Sequence, residues 1–275
     1  MKKGINRWCF PEEFQLEKCL RLAGKAGFDG IELNLKEESD RRPDLALDSD
    51  EEELLAIREL ADREGLSLPS ISTSLFWNYS LGSPEEDIRE RGKEVLRKML
   101  GVAGTLGADT VLVVPGQVDE KSSYRGTYER AIESLHAVKE EAERRQVTIG
   151  VENVWNKFLM SPLEMKNFIG EIDSEFVGAY FDVGNVLDFS YPRYWIEVLG
   201  EEIAKVHVKD FKKAVGNRHG FTHLLQGDVE WPNVVKALRD VGYEGYLTAE
   251  LSPYKYFPEK LAEDTANALE GIINL

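Results

Sequence analysis

Two rhythms of apolar residues alternate along this chain. Segments such as Leu20 to Gly27, Val95 to Gly107 and Val234 to Gly242 read as amphipathic helices that end at a glycine. Each gives way to a short apolar run: Gly30-Ile31-Glu32-Leu33, Thr110-Val111-Leu112-Val113-Val114, and Gly245-Tyr246-Leu247-Thr248. Such runs predict buried parallel strands. Gly27, Gly107 and Gly242 stand where a left-handed turn stops a helix. Ser83-Pro84 and Ser161-Pro162, each with a Glu three residues after the serine, predict helix starts with Ser as the N-cap.

The pattern places strands near residues 3–6, 29–33, 68–72, 110–114, 148–152, 177–182, 203–208 and 245–250. Helices fall near 13–26, 50–64, 84–106, 123–145, 161–171, 193–199, 231–241 and 258–273. This alternation predicts an α/β protein, a (β/α)8 TIM barrel forming one domain over residues 1–275. The length fits one such barrel. The rival, an open doubly wound sheet, would carry a Gly-rich phosphate turn after its first strand. Here that strand runs into Asn6-Arg7-Trp8-Cys9-Phe10.

Composition narrows the function. At 42% hydrophobic, the chain can bury a large core, and no Gly/Ser or Pro-rich linker divides it. No apolar stretch approaches the roughly 18 residues that span a membrane. The basic start Met1-Lys2-Lys3 lacks a signal-peptide apolar region. A cytoplasmic protein with no membrane partner is expected, and Cys9 and Cys19 are expected to be reduced and packed. The net charge of −16, from 34 basic and 50 acidic side chains, opposes a phosphate backbone and argues against nucleic acid. No interface is legible, so a homo-oligomer is left open.

Four residues carry the candidate chemistry. Glu152, Asp182, His207 and Glu250 each stand at the end of an apolar run in the second half of the chain. In a barrel, the carboxyl ends of the strands hold the active site. Three carboxylates and an imidazole suit one divalent ion with open coordination positions, with Mn²⁺ expected and Mg²⁺, Co²⁺ or Zn²⁺ compatible. Two cysteines, neither near these strands in the sequence, exclude a thiolate-rich zinc site. Glu152 and Glu250, on the fifth and eighth strands, are placed to flank a substrate from opposite sides. One base can then remove a proton and the other return it from the far face, as epimerisation requires. The metal would stabilise the enediolate between the steps.

Other residues carry two readings each. Asn185 follows Asp182 as a hydrogen-bond donor to a substrate oxygen or as a turn residue. Trp155 and the cluster Phe76-Trp77-Asn78-Tyr79 form an apolar wall of the site or pack the core. Glu32 ends strand two facing the mouth, as a partner of the site or of a nearby cation. The segment after strand seven holds Lys209, Lys212, Lys213, Arg218, His219 and His223, a solvated loop or a cover for an anionic substrate. Arg suits a phosphate, which makes Arg218 the candidate anchor. His136 reads as a surface helix residue.

The pattern resembles the xylose-isomerase-like barrel superfamily of sugar isomerases and epimerases. Gly27-Phe28-Asp29-Gly30-Ile31-Glu32-Leu33 is similar to its second-strand signature, and Glu152, Asp182, His207 and Glu250 match the metal set of its ketose 3-epimerases. In those the two glutamates also move the proton. Asp182-Val183-Gly184-Asn185, His207-Val208-Lys209-Asp210 and Leu81-Gly82-Ser83 are similar to motifs of its L-xylulose-5-phosphate 3-epimerase branch. The resemblance implies a sugar or sugar-phosphate epimerase. A hydroxypyruvate-type isomerase and an inosose dehydratase are alternatives within the same site class, and a non-catalytic sugar-binding barrel lies outside it. Three positions depart from the pattern: Asn185 and Phe158 replace a His and a Glu of free-ketose epimerases, and Phe76 replaces a His of the sugar-phosphate branch. An endonuclease IV-like reading needs more ligand histidines than the four present.

Overall fold

The computed structural model describes residues 1–38 and 44–275. Eight parallel strands close into a barrel: β1 (Lys2–Asn6), β2 (Gly30–Asn34), β3 (Ser70–Ser72), β4 (Thr110–Val113), β5 (Thr148–Glu152), β6 (Val177–Asp182), β7 (Ile203–Val208) and, after a short hairpin, β10 (Tyr246–Ala249). The hairpin is β8 (Asp210–Phe211) paired antiparallel with β9 (Phe221–Thr222). Around the barrel run α1 (Leu16–Ala26), α2 (Glu51–Arg63), α3 (Glu86–Leu106), α4 (Tyr124–His136), α5 (Lys139–Arg145), α6 (Pro162–Ile172), α7 (Pro192–Leu199), α8 (Trp231–Asp240) and α9 (Lys260–Ile273). The expected (β/α)8 fold is the observed one. Among the described residues no helix is long and apolar enough to cross a membrane.

The two faces of each strand differ in chemistry. Ile5, Ile31, Ile71, Val111, Val151, Phe181, Val206 and Leu247 are fully buried in the apolar core. Burying each side chain of this size is worth about 1.5–3 kcal/mol. Their strand neighbours Asn6, Glu32, Ser70, Ser72, Tyr180, His207 and Thr248 are equally buried but polar. Successive strand side chains point to opposite faces, so these line the barrel interior. The interior is therefore a hydrogen-bonded polar column wrapped by an apolar layer.

Gly27, Gly107 and Gly242 take the expected left-handed conformation, at φ 82°, 78° and 75°. Ser161 caps α6 as expected, accepting from Glu164 N at 3.2 Å. Three local expectations change. Ser83 does not cap α3: its hydroxyl accepts from Glu85 N, and the helix begins at Glu86 with Glu85 as the N-cap. The predicted helix 123–145 divides at Val138, whose φ of −122° leaves the helical range. Leu135, Val138 and Ala142 are all buried in the core across the break. The stretch after β7 is no simple loop, because Asp210–Phe211 and Phe221–Thr222 pair across it.

Candidate active site

The four candidate ligands come together. Glu152 and Asp182 are the last residues of β5 and β6, His207 lies in β7, and Glu250 directly follows β10. These four strands are consecutive around the barrel, so the ligands form one arc with Glu152 and Glu250 at its ends. One ligand atom from each residue lies within 4.8 Å of the others. Glu152, Asp182 and His207 are buried, while the Glu250 side chain keeps 18% of its surface exposed.

The polar column orients the arc. His207 Nε2 lies 2.7 Å from Glu32 Oε1. Glu32 in turn accepts from Ser70 Oγ at 2.7 Å, from the Tyr180 hydroxyl and from Asn6 Nδ2. With Nε2 committed to Glu32, Nδ1 is the nitrogen that faces the cluster, 3.3 Å from Glu152 Oε1. Asp182 is held by its backbone, which exchanges two hydrogen bonds with the Asn153 side chain at 2.8 and 2.9 Å. Its Oδ1 accepts from Asn185 N at 2.8 Å. Glu250 is fixed from both sides by Cys9, whose thiol donates to Ala249 O and accepts from Leu251 N, each at 3.2 Å.

Charge at this site is crowded. Burial, together with repulsion from Glu250 and Asp182, pushes the Glu152 carboxyl up to about 7 against the pull of His207. Burial also raises Asp182, with Lys209 opposing it. Burial acts to raise Glu250 too, but Lys209 and His207 prevail and hold it below the usual carboxylate range. Lys209 stands 3.0 Å from Asp182 Oδ2 and is hydrogen-bonded to Glu250 Oε2. A divalent cation suits this donor set. The Asp182 Oδ2 atom is buried and accepts no hydrogen bond, since the Lys209 contact lacks the geometry of one. That oxygen, His207 Nδ1 and the Glu152 and Glu250 carboxylates are an oxygen-rich set with one imidazole, as Mn²⁺, Mg²⁺, Co²⁺ or Zn²⁺ accepts.

The remaining candidates divide between the site and its surroundings. Glu32 does not face the mouth; it lies fully buried inside the barrel as the partner of His207. Asn185 is buried beside Asp182, and its amide donates to Asn153 O at 2.9 Å. Trp155 is half-exposed, donates its indole N–H to Asn185 O at 2.7 Å, and packs on Phe211 and Phe221. Phe76 is buried core, whereas Trp77 is exposed. Arg218 and His219 are exposed on a short turn just before β9. His223 is half-buried, with Nε2 3.0 Å from Ser252 O. His136 is exposed on α4, as expected. Sequence reasoning missed Lys209 as a member of the cluster, along with the supporting Asn6, Ser70, Tyr180 and Asn153. The signal was present: Lys209 lies two residues after His207, hence on the same face of the strand.

The model of the family described as xylose isomerase-like TIM barrel matches residues 20–272. The chain belongs to that family. Among curated relatives, L-ribulose-5-phosphate 3-epimerase UlaE of Escherichia coli (strain SMS-3-5 / SECEC) is 27% identical over 250 residues, covering 90% of this chain and 86% of the relative. Among solved structures, D-psicose 3-epimerase in the presence of D-fructose superposes with a TM-score of 0.83 at 18% identity, over 100% of both chains. The IOLI protein with a bound zinc atom superposes with a TM-score of 0.81 at 18% identity, over 100% of this chain and 98% of that one. At such identities the two structures establish the fold. Family and curated relatives together make the chain an enzyme of the isomerase class, an epimerase.

Proposed function

We propose that this chain is a divalent-metal-dependent ketose 3-epimerase acting on a phosphorylated ketose. The observation that carries the reading is the arc itself: Glu152 and Glu250 stand at its two ends around one buried cluster. A substrate seated over Asp182 and His207 has a carboxylate on either side. One glutamate takes the proton from C3. The electron pair of that C–H bond becomes the C2–C3 double bond, and the carbonyl pair moves onto O2. The other carboxyl then delivers a proton to the opposite face of C3, and the electrons return. A divalent ion held by Glu152, Asp182, His207 and Glu250, with Mn²⁺ expected, would supply Lewis-acid withdrawal of charge at the carbonyl.

Curated relatives named for a ketose 5-phosphate support the phosphate, as does the exposed cationic turn of Lys212, Lys213, Arg218 and His219. That turn leads into Phe221, Thr222 and His223, which line a cavity reaching Glu250. Arg218 is the proposed phosphate anchor, with His219, Trp155 and Asn185 the other proposed substrate contacts.

The test is proton exchange in D₂O. Mn²⁺-loaded enzyme is incubated with L-ribulose 5-phosphate or L-ribulose and followed by NMR. The reading expects deuterium at C3, appearance of the 3-epimer, and a kcat/KM preference for the phosphate that Arg218→Ala lowers. Glu152→Gln or Glu250→Gln should reduce exchange by at least about 10²–10⁴. Aldose formation would move the reaction to an aldose–ketose isomerase, loss of water to a dehydratase, and near wild-type exchange in either Gln variant would reject the two-base mechanism.

A further inference from the structure

Lys209 is the buried cation of this site, and neither the ligand set nor the two-base scheme uses it. Its side chain is 14% exposed and reaches the cluster from the exit of β7. Three features build its seat. Its stem crosses Gly184, where an added Cβ would lie 2.6 Å from Lys209 Cγ. Its ammonium lies 5.2 Å from the centre of the Phe221 ring. Its head touches both Asp182 and Glu250.

An ammonium has three N–H donors. One goes to Glu250, and the Asp182 contact lacks hydrogen-bond geometry, so donor capacity remains. The open side is a cavity of about 320 Å³ lined in part by Trp8, Phe221, His223, Glu250 and Ser252. Lys209 is the one Lys or Arg among the residues lining it. A small oxygenated ligand that enters by this cavity and approaches Asp182 and Glu250 meets the Lys209 ammonium.

We propose that Lys209 is a third catalytic group: its ammonium donates a hydrogen bond to the substrate oxygen that becomes negative when the C3 proton leaves. This rests on the epimerase reading above. The C–H electron pair moves toward O2, and Lys209 meets the charge there without accepting or losing a proton. A fixed donor aimed at developing charge in a water-poor site lowers the barrier more than it strengthens ground-state binding.

The test uses Mn²⁺-loaded wild type, Lys209→Met and Lys209→Arg. Mn²⁺ affinity and acetohydroxamate affinity are measured by calorimetry; acetohydroxamate is a small planar anion with adjacent oxygens. C3 exchange gives kcat and KM. Removing one such donor costs about 10²–10³ in kcat. Lys209→Met should lose that much, with KM moving far less, and bind acetohydroxamate at least about tenfold more weakly at unweakened Mn²⁺ affinity. Lys209→Arg should recover part of both losses. Acetohydroxamate affinity and kcat within twofold of wild type in Lys209→Met would overturn the proposal. So would a loss that follows Mn²⁺ affinity and melting temperature, with no recovery in Lys209→Arg; Lys209 would then only balance charge. The two readings fail separately. A wild type that exchanges at C3 with no Lys209 dependence keeps the epimerase and rejects Lys209. A wild type inactive at C3 that binds acetohydroxamate through Lys209 rejects the epimerase and keeps the donor.

Discussion

Glu32 shows how a residue without ligand access can orient the proposed metal site. It takes His207 Nε2 at 2.7 Å and so decides which imidazole nitrogen faces the cluster. Removing a carboxylate behind a ligating histidine weakens metal binding by about 10–100-fold. Glu32→Gln should show a loss of that size in Mn²⁺ affinity by calorimetry, with an unchanged far-UV CD spectrum; full wild-type affinity would contradict the role. The position of Glu32 in β2 was legible in the sequence, but its depth was not. A strand pattern gives the face on which a side chain lies, and not how far along the barrel axis that face opens. For the four ligands face and end coincide, and they were legible. Glu32 and Lys209 share the interior face with them, but whether Glu32 meets the cluster depends on its register against His207, 175 residues away.

At the scale of elements, the β8–β9 hairpin is the piece that sequence periodicity did not reveal. Two-residue strands are too short to show an alternation. Their pairing depends on Asp210, a fully buried carboxylate that accepts from Phe211 N, Val229 N and Trp231 Nε1 at 2.9, 3.1 and 3.2 Å. It ties the hairpin to the start of α8 and so fixes Phe221 over the site. Asp210→Ala would leave those buried donors unpaired, at about 1–3 kcal/mol for each group left unsatisfied. Urea titration should show a loss of at least about 2 kcal/mol, and a variant as stable as wild type would mean that the hairpin is held by its aromatic contacts alone. The division of α4 from α5 was illegible for a related reason. Leu135, Val138 and Ala142 keep helical spacing across the break, and no Pro or Gly marks it.

For the whole molecule, the polar column would link the proposed metal to stability. Three carboxylates of the cluster and Glu32 share one interior. A cation that binds only the folded chain stabilises it by about 2.7 kcal/mol at a hundred times its Kd. In a chain of 275 residues that is a rise of about 5 °C in melting temperature. Scanning calorimetry with EDTA and then with added Mn²⁺ should show this rise in wild type and little of it in His207→Ala. An equal rise in both would place the bound ion elsewhere. The barrel architecture was legible across nearly its whole length, because the apolar layer outside the strands and the helices repeats with every unit.

The Cys9 bridge has a consequence in time as well as in space. Its thiol joins residues 240 and 242 positions away, on the strand that closes the barrel against β1. Contacts that distant form late, after the cost of closing a long loop has been met. As the chain leaves a ribosome, β1 waits with a free edge until the strand carrying Ala249, 240 residues on, has been made. The glutamate flanked by Cys9 partners is among the last site residues to emerge. Glu152, Asp182 and His207 are therefore made before the proposed arc can be completed, and the site forms only when β10 locks against β1.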